Sequence, residues 1–272
     1  MQKFFIALAA FLIFSTVLAF SDIGPKNSHK VAIDYLQKHG IVAGFADGEF
    51  KANQSITRAE LAKILVKVRG IQTDTKRFRN CFPDVGAEWF AVFVCQAKHQ
   101  EWIAGYPNST FQPANFLNRA EAVKIILTAL GVGLDDFSQF PDVVSTDWFA
   151  IFAATTHSQN LLDVTKFQAN RAITRGEVAE TIFRILVTKD SGADVFDANL
   201  LANFNLIKSP SEILAGSLDF PYTDFTNLGI TNWEVKNGIW TLQPTLEFAE
   251  KKYQFATPQN YVAALQKIQT HF

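Results

Sequence analysis

Thr57-Arg58-Ala59-Glu60-Leu61-Ala62-Lys63-Ile64-Leu65-Val66-Lys67-Val68 is the stretch that decides how this chain folds. A small polar residue followed three positions later by glutamate is a capping box, in which side chains satisfy the unpaired backbone donors of a helix start. Leu61, Ile64, Leu65 and Val68 then recur at helical spacing. The same plan returns as Asn118-Arg119-Ala120-Glu121, followed by Ala122, Ile125, Ile126 and Ala129. It returns again as Thr174-Arg175-Gly176-Glu177, followed by Val178, Ile182 and Ile185. Phe50, Phe111 and Phe167 each stand eight residues ahead of the arginine (58 − 50, 119 − 111, 175 − 167). Such fixed spacing is the mark of an internal repeat.

Each repeat reaches further back. Phe20-Ser21-Asp22, Phe82-Pro83-Asp84 and Phe140-Pro141-Asp142 open the three units. The aspartate suits a turn or helix-opening position. A first helix follows, with Val31, Ala32, Tyr35 and Leu36 in repeat 1 and Trp89, Phe90, Phe93, Val94 and Ala97 in repeat 2. Turn chemistry closes it: Gly44-Phe45-Ala46-Asp47-Gly48-Glu49-Phe50 in the first copy and Gly105-Tyr106-Pro107-Asn108 in the second. The third copy, Leu161 to Phe167, lacks the glycine and about two residues, so its turn must differ. The fold class is mainly α: three tandem helix–turn–helix repeats.

The flanks bound the rest. Residues 1–19 read as a secretory signal peptide, with Lys3, an apolar run from Phe4 to Phe14 and small residues before Phe20; the run is short for a spanning helix. Cys81 and Cys95 are expected to form a disulfide, with two buried thiols as the alternative. No metal-ligand spacing accompanies them, so no metal and no cofactor is expected. The net charge of −1 argues against a nucleic-acid partner. Hydrophobic residues make up 48%, which is enough to bury a core. Residues 195–272 are read either as a degenerate fourth repeat, because Lys236-Asn237-Gly238-Ile239 echoes Lys38-His39-Gly40-Ile41, or as an unrelated C-terminal region. They carry no catalytic signature, so the chain is not expected to be an enzyme.

The motif arginine is the candidate site. A cation at the first helical position opposes the helix dipole, so propensity does not explain Arg58, Arg119 and Arg175. One reading is an anion site made of a guanidinium fork and free helix-start N–H groups. The other is an ion pair with Asp22, Asp84 or Asp142 that pins repeats together. Phe45, Tyr106, Trp89 and Trp148 are either sugar-stacking walls or core, and Asp47-Gly48 is either a turn or a ligand contact.

Residues 20–190 resemble three S-layer homology domains, on the Phe-x-Asp openings, the Gly44–Phe50 and Gly105–Phe111 turns and the Thr-Arg-Ala-Glu-type motifs. The resemblance implies repeats at 20–71, 81–132 and 139–190 that fold as a helical pseudo-trimer. It implies a secreted protein of the cell surface, anchored non-covalently to acidic, pyruvylated cell-wall polysaccharide in grooves between repeats, without membrane insertion after signal cleavage. By that resemblance Arg58, Arg119, Arg175, Gly44, Asp47, Gly105, Trp89 and Trp148 are ligand-binding. The alternatives are a surface-layer assembly protein that binds other proteins, and a surface-anchored enzyme. The missing glycine turn of the third repeat makes the third groove the one expected to differ, and because Ser28 and His29 stand where Trp89 and Phe90 stand, the first groove is expected to differ as well.

Overall fold

The computed structural model describes residues 20–136, 140–216, 233–236 and 239–242; the signal-peptide segment lies outside them. Each repeat contributes two helices: α1 (Lys30–Lys38) and α2 (Arg58–Val68), α3 (Ala91–His99) and α4 (Arg119–Ala129), α5 (Ala150–Ser158) and α6 (Arg175–Ser191). All three capping boxes form as the sequence predicts, through Thr57 and Glu60, Asn118 and Glu121, Thr174 and Glu177. Thr57 Oγ1, for example, accepts the Glu60 N–H while Glu60 Oε2 accepts the Thr57 N–H at 2.9 Å.

The repeats close on one another in a ring. Helix α3 packs against α2, α5 against α4, and α1 returns to pack against α6. At the pseudo-three-fold axis the backbone makes a cycle of three hydrogen bonds. Ile56 N–H donates to Ile173 C=O at 3.2 Å, Ile173 to Leu117 at 3.1 Å, and Leu117 to Ile56 at 3.1 Å. The three side chains are fully buried. Each satisfies its backbone only through another repeat, so no repeat is complete alone.

Within each unit the opening phenylalanine packs on the turn phenylalanine. The ring centroids lie 5.2 Å apart for Phe20 and Phe50, 5.4 Å for Phe82 and Phe111, and 5.5 Å for Phe140 and Phe167. The opening aspartate does not start a helix, as the sequence suggested. Its carboxylate clamps the turn instead: Asp84 accepts the N–H groups of Phe111 at 2.8 Å and Gln112 at 2.7 Å, and Asp22 and Asp142 do the same for Phe50–Lys51 and Phe167–Gln168. The second residue of each pair is left-handed, with φ of 59° at Lys51, 56° at Gln112 and 49° at Gln168. Two charge-assisted bonds offset the cost of that conformation in a residue with a Cβ.

Cys81 and Cys95 form the expected disulfide, which ties the linker before repeat 2 to α3. After α6, a 3-10 helix (Ala198–Ala202) and α7 (Pro210–Gly216) pack against α6 of the third repeat, and the segment between them meets repeat 1 through Tyr35. Trp233–Lys236 (β1) and Ile239–Leu242 (β2) pair as an antiparallel hairpin, Lys236 opposite Ile239. Of the echo of Lys38–Ile41, Lys236 and Ile239 are paired strand residues, whereas Lys38 ends a helix in repeat 1; Asn237 and Gly238 lie outside the described residues. Residues 217–232, 237–238 and 243–272, on which most of the fourth-repeat reading depends, lie outside the described residues.

Candidate functional site

Each motif arginine reaches from the start of the second helix of its own repeat into the turn of the next. Arg58 enters the turn of repeat 2, where its Nε donates to Phe111 C=O at 2.8 Å and its Nη2 to Ala104 C=O at 3.3 Å. Arg175 enters the turn of repeat 1 and donates to Phe50 C=O at 2.9 Å and Ala43 C=O at 3.2 Å. Arg119 enters the turn of repeat 3 and donates to the Lys166 and Phe167 carbonyls. The cation is where the dipole disfavours it because three inter-repeat seams use it as a bolt.

The free helix-start N–H groups expected from the sequence are taken. Arg58 and Ala59 donate to Asn115 and Pro113 C=O, Arg119 and Ala120 to Arg171 and Ala169 C=O, and Arg175 and Gly176 to Gln54 and Ala52 C=O. Closure of the ring directs these donors to the neighbouring loop rather than to solvent. The expected ion-pair partners also differ, because Asp22, Asp84 and Asp142 are engaged in clamping the turns.

The three seams are alike in backbone and unlike in charge. Arg119 is 2% exposed and pairs with Glu177, the capping glutamate of the next repeat, at 2.7 Å. Arg171 shares the same carboxylate. Burial lowers the Arg119 pKa, and Glu177 pulls the other way. Burial alone would raise Glu177, but the Thr174 N–H and the two arginines hold it below the usual glutamate range. Arg175 pairs with Glu60 at 3.2 Å. Arg58, 7% exposed, has no carboxylate within ion-pair distance among the described residues. Its guanidinium lies instead between the rings of Tyr106 (4.7 Å) and Phe111 (4.6 Å).

Tyr106 also borders an open cavity of about 500 Å³, lined further by Lys98, Glu101, Ala104 and Gly105. Phe45 covers Arg175 at 4.8 Å. Repeat 3 has no such ring, because its turn is three residues shorter rather than the two the sequence suggested: Phe50 follows Gly44 by six positions and Phe167 follows Val164 by three.

Trp89 and Trp148 are not core. Each is 57% exposed at the mouth of its seam, with Lys63 Nζ 5.0 Å from the Trp89 ring and Lys124 Nζ 5.6 Å from the Trp148 ring. Each exposed ring therefore carries a lysine cation over or beside its face. Gly44 and Gly105 have a packing reason. A Cβ at Gly44 would lie 2.6 Å from Phe20 Cε1 and 2.8 Å from Glu49 O, and one at Gly105 would lie 2.7 Å from Phe82 Cε1. Asp47 serves its own turn, accepting the Glu49 N–H at 3.1 Å and pairing with Lys51 at 2.6 Å.

Sequence reasoning missed two groups. Lys63 and Lys124 each lie five residues past the arginine (58 + 5, 119 + 5), and that shared spacing was the available signal. The capping glutamates as arginine partners carried no signal, since the pairing crosses repeats.

Comparison with known proteins gives a consistent result. The S-layer homology domain family model matches residues 19–62 and 82–123. The middle cell wall protein of Brevibacillus brevis is 41% identical over 99 residues, 35% of this chain and 9% of that protein. The cellulosome-anchoring protein of Acetivibrio thermocellus is 33% identical over 122 residues, 43% of this chain and 27% of its own length. The surface-layer 125 kDa protein of Lysinibacillus sphaericus is 26% identical over 207 residues, 70% of this chain and 17% of its own. The chain thus spans less than a third of each of these relatives.

Proposed function

We propose that this chain, a cell-surface protein carrying S-layer homology domains, anchors to the bacterial envelope by gripping acidic polysaccharide, and that the seam between repeats 1 and 2 is its principal grip. The reading rests on Arg58. It is the one motif arginine with no carboxylate of the described residues within ion-pair distance, Asp84 acting on it only from further away, and the Tyr106 ring and Ala104 carbonyl that hold it also border an open cavity. Carbonyl partners orient the guanidinium without neutralising it. A carboxylate-bearing sugar, as on a pyruvylated polymer, supplies the missing anion; one charge-assisted bond of this kind contributes about 1.5–3 kcal/mol. Trp89 and Lys63 at the same seam offer a stacking face and a second cation for the neighbouring residue of the polymer. Arg119 and Arg175 act as structural bolts first, because each is already paired. The chain acts as a binder rather than an enzyme.

Co-sedimentation of the full chain with isolated envelope polysaccharide tests this. Binding is expected, and it should fall when the acidic substituents of the glycan are chemically removed. Arg58→Lys, which keeps the charge and loses the planar fork, should weaken retention about tenfold while preserving the fold. Retention that ignores both changes refutes the reading.

A further inference from the structure

We infer that the seam between the third and first repeats is closed to ligand, so that the ring offers two polysaccharide grooves rather than three; this rests on the anchoring function proposed above. The three seams can be laid over one another by helix register. The residues just ahead of the first helices are Trp89-Phe90, Trp148-Phe149 and Ser28-His29. The residue after the motif arginine is Ala59, Ala120 and Gly176, and the fifth after it is Lys63, Lys124 and Glu180. Two seams share one set of side chains. The third changes all four positions together.

Each change removes a ligand-binding property. Serine has no face on which a sugar can stack. Glutamate in place of lysine puts a negative charge where an acidic saccharide would arrive, and like charges disfavour the approach. His29 fills the space that remains: a Cβ on Gly176 would lie 2.5 Å from His29 Cδ2, so the ring fits only because residue 176 is glycine. Glu180 is spent within the protein, bonded by Arg184 Nε at 2.8 Å and faced by His29 Nδ1 at 3.7 Å.

The chain after the repeats also ties repeat 3 to repeat 1 further along this seam. Arg184 donates to Asn160 and lies over the Phe196 ring, while Asn160 Nδ2 donates to Phe196 C=O at 3.0 Å. Further along, Tyr35 of repeat 1 donates to Lys208 C=O at 2.8 Å, and Lys208 pairs with Asp190 of repeat 3 at 2.6 Å. The rings of Tyr35, Phe183 and Phe204 meet in one cluster beneath. Residues 196–208 thus strap repeat 3 to repeat 1. The last seam of the ring joins the two ends of the repeat array, and here strength has replaced binding.

Calorimetric titration of the full chain with short carboxylated oligosaccharides cut from isolated envelope polysaccharide tests the count. Two sites per chain are expected, the tighter weakened at least tenfold by Lys63→Ala and the weaker by Lys124→Ala. Glu180→Gln should leave both sites intact. Ser28→Asp, at an exposed position that does not unsettle the core, should do the same, whereas Trp89→Asp abolishes the tighter site. One site, three sites, or loss of a site in Glu180→Gln or Ser28→Asp overturns the inference while the anchoring function stands. A chain that binds none of the oligosaccharides overturns both.

Discussion

Truncating Arg119 to alanine separates the structural arginines from the one proposed to bind. Arg119 is the most buried of the three, holds two carbonyls of the repeat-3 turn and pairs with Glu177. Its loss leaves those carbonyls without a donor and Glu177 with one cation fewer. Removing one partner of a buried pair costs about 3–5 kcal/mol. Arg171 and the Thr174 N–H still hold Glu177, which places the cost at the lower end, about 3 kcal/mol. For an ordered unit of roughly 200 residues this lowers Tm by roughly 6–12 °C. Arg58→Ala leaves no carboxylate stranded and should cost roughly half as much. Scanning calorimetry of both variants at neutral pH, with circular dichroism to confirm a single transition, gives the comparison. An unchanged melt for Arg119→Ala, or a larger loss for Arg58→Ala than for Arg119→Ala, refutes the assignment of roles.

Two further outcomes follow from local geometry. In Asp84 and Asp142 burial favours the protonated form, but paired backbone N–H donors outweigh it and hold both carboxyls below the usual range. Folded-state values below the unfolded value of about 4 give stability that is complete above that pH and drains as pH falls through the folded values. Urea midpoints should therefore decline on the acid side, and the Asp84→Asn/Asp142→Asn double variant should show a flatter decline; an unaltered acid limb would falsify the clamp. Gly176→Ala gains about 1 kcal/mol of helix propensity yet drives a methyl into His29. It should destabilise the chain alone and stabilise it in a His29→Ala background, and additivity in that double-mutant cycle rules out the contact.

The local parts of this fold are legible because they are local. A capping box needs only residues three apart, and the apolar faces of α2, α4 and α6 need only helical spacing. The disulfide was a matter of compartment and count. The parts that failed to show in the sequence cross between repeats. Asp84 looked like a helix starter, since nothing nearby reveals that its carboxylate reaches Phe111 and Gln112. Arg119 and Glu177 are 58 positions apart, and only ring closure brings them together. For the same reason the helix-start N–H groups looked free: their acceptors, such as Asn115 and Arg171, belong to the next unit.

The division between backbone and side chains explains how near-identical repeats support unlike seams. The cyclic bonds through Ile56, Leu117 and Ile173 and the aspartate clamps use groups that every repeat supplies, so the ring geometry tolerates changes elsewhere. The arginine is fixed by main-chain carbonyls at all three seams, and what varies around it is whether a carboxylate joins it and which side chains flank it. Where Glu177 or Glu60 joins, the cation is neutralised inside the protein and gives rigidity. Where none does, at Arg58, the same scaffold holds a buried guanidinium without an ion-pair partner among the described residues, the feature on which the proposed anchoring rests. Adding or removing one carboxylate near the guanidinium therefore sets how much of a seam's positive charge the protein itself balances, without moving the backbone.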